Sequence, residues 1–105
     1  MSKLNDIQKI YFIGIGGIGM SAVARYFKAR DVEVSGYDKT STVLTRELEA
    51  AGIAVHYEER IDLIPKDADT VVYTPDIPQK HTELVYYREH NSTVVKRSDI
   101  LQWIT

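Results

Sequence analysis

The chain has 105 residues, 44% of them hydrophobic, which is enough for one buried core and too little for two ordinary domains. Thirteen Lys plus Arg against fifteen Asp plus Glu give a formal net charge of -2 with the two signs interspersed, so no nucleic-acid surface is expected. With no cysteine, disulfides, thiolate metal sites and thiol catalysis are excluded.

Met1 to Asp6 is a polar lead-in without the uninterrupted apolar region of a signal peptide. Lys9 to Ile13 is a continuous β-branched and aromatic run, the pattern of a strand buried on both faces in a parallel sheet. From Ile18 the period changes: Ile18, Ala22, Val23, Tyr26 and Phe27 recur at helical spacing. Ile10 to Met20, the most apolar stretch, is broken by glycines and falls short of the roughly 20 residues of a membrane-spanning helix. A membrane span is not expected, and a cytoplasmic location is. Val32 to Tyr37 reads as a second strand, and Val43, Leu44, Leu48 and Ala51 mark a second helix with Gly52 as its C-terminal cap. Ala54 to His56 is a short third strand, and Ile61 to Ile64 is at most one helical turn. Thr70 to Tyr73 is a fourth strand, ended by Pro75 and Pro78. A helix over Thr82 to His90, a fifth strand over Thr93 to Lys96, and a last helix N-capped by Ser98 and cut off at Thr105 complete the chain. This alternation predicts a Rossmann-like, three-layer α/β domain with a five-stranded parallel sheet of order 3-2-1-4-5. Ligands of such sheets sit beyond the carboxyl ends of the strands, where the order reverses.

Gly14-Ile15-Gly16-Gly17-Ile18-Gly19 satisfies G-x-G-x-x-G between a predicted strand and a predicted helix. Gly14 would permit the tight turn, Gly16 would let a pyrophosphate approach the backbone, and Gly19 would let helix and strand pack closely. The N–H groups of Gly17, Ile18, Gly19 and Met20 would then meet an anion at the positive end of the helix. A glycine turn kept only for packing is the bland alternative. Asp38, nineteen residues after Gly19, stands where a carboxylate reaches ribose hydroxyls or a base N–H, or else it N-caps the helix that follows Lys39-Thr40-Ser41. His56, His81 and His90 lack paired ligand spacing, so no metal site is expected and solvated or loop positions are the default. His81, in the loop beyond the fourth strand, is a possible substrate contact. Lys96 and Arg97 are expected to make structural or interdomain ion pairs. Trp103 is expected to pack against a following domain.

Four blocks carry a resemblance: Tyr11-Phe12-Ile13-Gly14-Ile15-Gly16-Gly17-Ile18-Gly19-Met20-Ser21, Val34-Ser35-Gly36-Tyr37-Asp38, Val71-Val72-Tyr73-Thr74-Pro75, and Lys96-Arg97-Ser98-Asp99-Ile100-Leu101. In that order they resemble the N-terminal domain of the UDP-N-acetylmuramate:L-alanine ligases of the bacterial Mur ligase family. The resemblance implies an enzyme of peptidoglycan synthesis in which ATP phosphorylates the muramoyl carboxylate and the amine of L-alanine attacks the acyl phosphate. It implies that this domain holds the UDP part of UDP-N-acetylmuramate. The diphosphate would lie on Gly14, Gly16, Gly17, Ile18, Gly19 and Met20, and the uridine against Asp38, Thr74 and Pro75. No catalytic residue is then expected in this chain. Many members have two small hydroxyl residues where Thr74-Pro75 stand and a histidine near Glu58 or Glu59, so contacts there are expected to differ.

The family's ATP site is a P-loop on a central domain, and this chain has no Gly-Lys pair to cradle β- and γ-phosphates. The domain is therefore expected to bind no cofactor itself, with ATP and Mg2+ held in the full-length enzyme. The chain is expected to be the first domain of a longer enzyme, its partners being the central ATP-binding and C-terminal domains. The rival from another class is an NAD(P)-binding domain of a regulatory protein or oxidoreductase, which would use the same turn and acid. The blocks after Asp38 favour the ligase. A related ligase that recycles cell-wall peptides is a third reading, associated with a different glycine turn.

Overall fold

The computed structural model of the chain describes residues 3–104. Met1, Ser2 and the expected cut at Thr105 lie outside the described residues. After a 3-10 turn at Lys3–Asp6 come β1 (Lys9–Ile13), α1 (Ile18–Lys28), β2 (Glu33–Tyr37), α2 (Val43–Ala50) and β3 (Ala54–His56). A second 3-10 turn, Ile61–Leu63, leads to β4 (Thr70–Tyr73), α3 (Thr82–Glu89), β5 (Thr93–Lys96) and α4 (Arg97–Ile104). The five strands form one parallel sheet in the order β3-β2-β1-β4-β5, as the alternation of elements predicts.

Strand β1 lies at the centre, and its apolar run is continuous because both of its faces are covered. Side chains alternate across a strand, so Ile10 and Phe12 enter one core while Tyr11 and Ile13 enter the other. All four are fully buried, and each contributes about 1.5–3 kcal/mol in burying its side chain. Helices α1, α2 and α4 cover the Phe12 face through Val23, Phe27, Leu48 and Ile100. Helix α3 covers the Tyr11 face through Leu84 and Tyr87. Trp103, expected to await another domain, is partly buried against the chain's own Phe12-side core.

The helix ends show where sequence reasoning holds and where it does not. Gly52 takes φ +93 directly after α2, the left-handed geometry expected of a C-terminal cap. Asp31 and Asn91 adopt similar angles (φ 64 and 67) after α1 and α3, a conformation that short polar side chains tolerate. Ser98 is not an N-cap: α4 already starts at Arg97, Ser98 is exposed within its first turn, and the Asp99 carboxylate accepts the Lys96 N–H at 3.1 Å.

Candidate functional site

The site is built where β1 ends. Gly14 takes φ +94, a conformation L side chains rarely adopt, and the chain folds over the end of β2. There the N–H groups of Gly14 and Ile15 both donate to the Tyr37 carbonyl, at 2.7 and 2.9 Å. The Ile15 side chain plugs the core beneath the turn, and the Gly16 N–H donates to Asp38 Oδ2 at 2.8 Å. Gly17 then opens α1 as its N-cap, in extended geometry (φ -67, ψ 154), with no side chain closing the first turn. Ser21 N–H returns to the Gly17 carbonyl, which leaves the N–H groups of Ile18, Gly19 and Met20 without intrahelical acceptors. No acidic residue stands in that first turn, so the positive end of the helix is free to attract an anion.

The glycines divide their work differently from the sequence expectation. A Cβ on Gly16 would meet Asp38 Oδ2 and Thr45 Cγ2, both at 2.8 Å, so the missing side chain makes room for the Asp38 carboxylate. Gly17 has nothing within 4 Å of the same position and is the glycine that faces open space. At Gly19 a Cβ would run into the Arg97 guanidinium, so Gly19 serves the approach of the β5–α4 junction to α1, not a helix–strand contact.

Gly14, Gly16 and Gly17 form one wall of a cleft of about 470 Å3 beyond the carboxyl ends of the strands. Tyr37, Asp38 and Lys39 form its back, and Glu59, Thr74, Asp76, Ile77, Pro78 and His81 the opposite side. Of the residues singled out in the sequence, Asp38, Thr74 and His81 thus meet the glycine turn in one cleft. Ile18, Gly19 and Met20 do not line it; they adjoin it through the first turn of α1. The Ile18 side chain is exposed and that of Met20 is in the core, so only their backbones can serve an anion. Pro75 does not line the cleft: the turn closed by Ile77 N–H on the Thr74 carbonyl leaves Pro75 exposed and brings Ile77 and Pro78 to the wall instead. Glu58 is exposed away from the cleft, whereas Glu59 lines it.

Asp38 is not the N-cap of α2. Thr42 holds that position, exchanging hydrogen bonds with Thr45 in a complete capping box. Asp38 instead accepts the Gly16 N–H on Oδ2 and the Thr40 N–H on Oδ1, the latter at 3.1 Å, and its own N–H donates to the His56 carbonyl. The carboxylate therefore clamps the glycine turn, and each oxygen keeps a second lone pair for a ligand hydroxyl.

Two of the three histidines are neither solvated nor on loops. His81 is 3% exposed and N-caps α3, its Nδ1 accepting the Glu83 N–H at 3.2 Å; its Nε2 is buried without a hydrogen-bond partner among the described residues. His56 ends β3 beside Glu83, a fully buried carboxylate. Glu83 accepts from the Tyr11 hydroxyl at 2.6 Å and the Arg60 N–H at 2.9 Å, with His56 Nε2 at 2.7 Å. Burial, followed by the neighbouring Glu83 charge, pushes the Tyr11 phenol far up, so it stays protonated and donates. His90 is exposed and stacks on Tyr86. Among the described residues Lys96 and Arg97 make no ion pair within the domain; Arg97 lies over Gly19.

Glu59 Oε1 accepts both the N–H and the hydroxyl of Thr82, at 2.8 and 2.9 Å. The Thr82 N–H is the main cause that holds its carboxyl below the usual 4.5. Lys39 is a cleft residue the sequence reading did not place, and its one signal is a cation directly after the acid that ends β2.

Among the described residues no group of three or more His, Cys, Asp or Glu side chains could hold a metal ion. The glycine turn also carries no lysine, so these residues do not fit a magnesium–nucleoside triphosphate site. No helix among them is long and apolar enough to cross a membrane.

Three relatives place this geometry. The chain is 54% identical over 107 residues to the UDP-N-acetylmuramate--L-alanine ligase of Flavobacterium psychrophilum, covering 98% of the chain and 24% of that protein. It therefore spans about a quarter of the length of that relative. The crystal structure of the UDP-N-acetylmuramate-alanine ligase from Thermotoga maritima matches 90% of the chain and 22% of its own at TM-score 0.85 and 33% identity. The UDP-N-acetylmuramate:L-alanyl-gamma-D-glutamyl-meso-diaminopimelate ligase from Neisseria meningitides matches the same share, and 30% of its own chain, at TM-score 0.79 and 25% identity. The model of the Mur ligase family, catalytic domain, fits residues 9–105, nearly the whole chain, and with the sheet order, the glycine turn and the acid after β2 all in place, this chain belongs to the Mur ligase family.

Proposed function

We propose that the chain is the N-terminal domain of an ATP-dependent ligase that adds L-alanine in peptidoglycan synthesis, and that it binds the UDP part of UDP-N-acetylmuramate. The observation that carries the reading is the uncapped start of α1 at the cleft, where Gly17 offers open space and the helix offers unpaired N–H groups. The diphosphate lies on the backbone of Gly16 to Met20, with Lys39 on the same cleft adding a positive charge. Asp38 receives the ribose hydroxyls on lone pairs that its two backbone partners leave free. Thr74 and Ile77 close the other side around the base.

The chain contributes no catalytic residue in this reading; ATP and Mg2+ are bound by other domains of the whole enzyme, which acts in the cytoplasm. Relatives that are about four times longer and named as ligases support this division of labour. Titration with UDP-N-acetylmuramate, followed by amide resonances, is expected to shift Gly16 to Met20 first and most. If NAD shifts them and the nucleotide sugar does not, the domain is a dinucleotide binder and the reading is wrong.

A further inference from the structure

One buried polar atom in the cleft wall has no partner. His81 Nδ1 accepts the Glu83 N–H, so the neutral imidazole carries its proton on Nε2, and that N–H meets nothing among the described residues. Buried donors are nearly always satisfied, and one left over beside a ligand cleft points to an acceptor that the ligand supplies. The ring cannot simply turn away, because the Nδ1 bond caps α3 and Tyr37 packs edge-on against it at 4.8 Å between centroids. Next to it stands a complementary group. Glu59 Oε1 lies 3.9 Å from His81 Nδ1 and is held by Thr82, while Oε2 has no partner among the described residues. A donor on His81 and an acceptor on Glu59 are thus both left without a partner among the described residues, on two side chains that line the same cleft. The position of Glu59, drawn toward the ionised form by the Thr82 N–H, makes it an acceptor only.

We propose that His81 and Glu59 read the base of the bound nucleotide: His81 Nε2–H donates to a carbonyl oxygen of uracil, and the Glu59 carboxylate accepts from the adjacent N3–H. Uracil presents N3–H flanked by two carbonyl oxygens, which matches a donor beside an acceptor. With the sugar and diphosphate holding both bases alike and His81 facing the 4-position, cytosine sets its bare N3 against the carboxylate and its amino N–H against the imidazole N–H. A site built of buried polar groups rejects a mismatched partner because those groups are left unpaired. Nε2 is buried, so this contact requires the cleft wall beside His81 to give way as the base enters. This inference rests on the uridine-nucleotide reading above.

The test compares UDP with CDP, titrated into the parent, His81→Asn and Glu59→Gln, with amide spectra reporting both folding and binding. Asn keeps an acceptor for the start of α3 but removes the imidazole donor. Gln keeps the size of Glu59 but makes its terminus both donor and acceptor. The parent is expected to favour UDP by at least about tenfold, the scale of one well-placed hydrogen bond pair, and each variant to bring the ratio toward one while the glycine turn still shifts. Equal binding of UDP and CDP by the parent, or an undiminished preference in both variants, overturns the base-reading role and leaves nucleotide binding standing. If neither nucleotide shifts the turn in the parent, the nucleotide reading itself falls, and this inference with it.

Discussion

Helices α1 and α2 both start at the carboxyl end of the parallel strands and solve the same problem in opposite ways. At the start of α2, Thr42 and Thr45 exchange hydrogen bonds so that the end is closed by side chains. At the start of α1 stands Gly17, with no side chain at all and nothing within 4 Å of where one would begin. The chain therefore has the means to close a helix end and leaves the one facing the cleft open. An open end costs little when water or an anion satisfies its N–H groups, and it is useful only to a ligand that brings negative charge.

The contrast can be broken by closing α1. Gly17→Asp puts a capping carboxylate on a backbone already in the extended geometry that caps use, in space that is free. UDP-N-acetylmuramate binding is expected to fall by about 100-fold or more, since like charge now occupies the anion site, while stability in urea changes by only a few tenths of a kcal/mol, as between Gly and Asp caps. Retained binding in that variant would show that the diphosphate lies elsewhere. The converse experiment opens α2. Thr42→Ala is expected to cost about 1 kcal/mol in urea denaturation and to leave nucleotide binding within about twofold. A binding loss matching that of Gly17→Asp would mean that the two helix ends are not separate in function.

The smallest expected effect concerns Glu59, which joins the start of α3 to the cleft. Its folded-state pKa is depressed, so its contribution is present above the unfolded value near 4.5 and is lost as pH falls through the lower folded value. Glu59 is 42% exposed, so solvent screens much of that contribution. Glu59→Gln is expected to flatten the acid side of the stability profile below about pH 4.5 and to change little at pH 7 beyond the loss of one charge-assisted bond. An unchanged acid limb would indicate that Thr82 is held by other means.

The strands and helices were legible because each run of side chains has one period and the breaks fall on Gly, Pro, Asp or Asn. The site was legible only in outline. G-x-G-x-x-G locates the turn, but with Gly16 and Gly17 adjacent it does not say which glycine faces the ligand, and the decision rests on where Asp38 folds back. His81 reads as a loop histidine because its cap role depends on the geometry of α3, and Ser98 reads as a cap because the chemistry is right two residues too late. Glu83 left no trace at all. Nothing beside it in Thr82 to His90 sets it apart, and its partners Tyr11 and His56 are 72 and 27 residues away.

Glu83 also decides how the cleft can deform. Its carboxylate joins α3, the sheet centre at Tyr11, the edge strand at His56 and the segment after it at Arg60. The His56 carbonyl in turn holds the N–H of Asp38, and Asp38 holds the glycine turn. A continuous train of hydrogen bonds therefore runs beneath the floor from one jaw to the other, and neither jaw can swing without dragging its opposite. The two jaws are thus geared together, and any large closing stroke around the substrate has to be delivered to this domain as a whole.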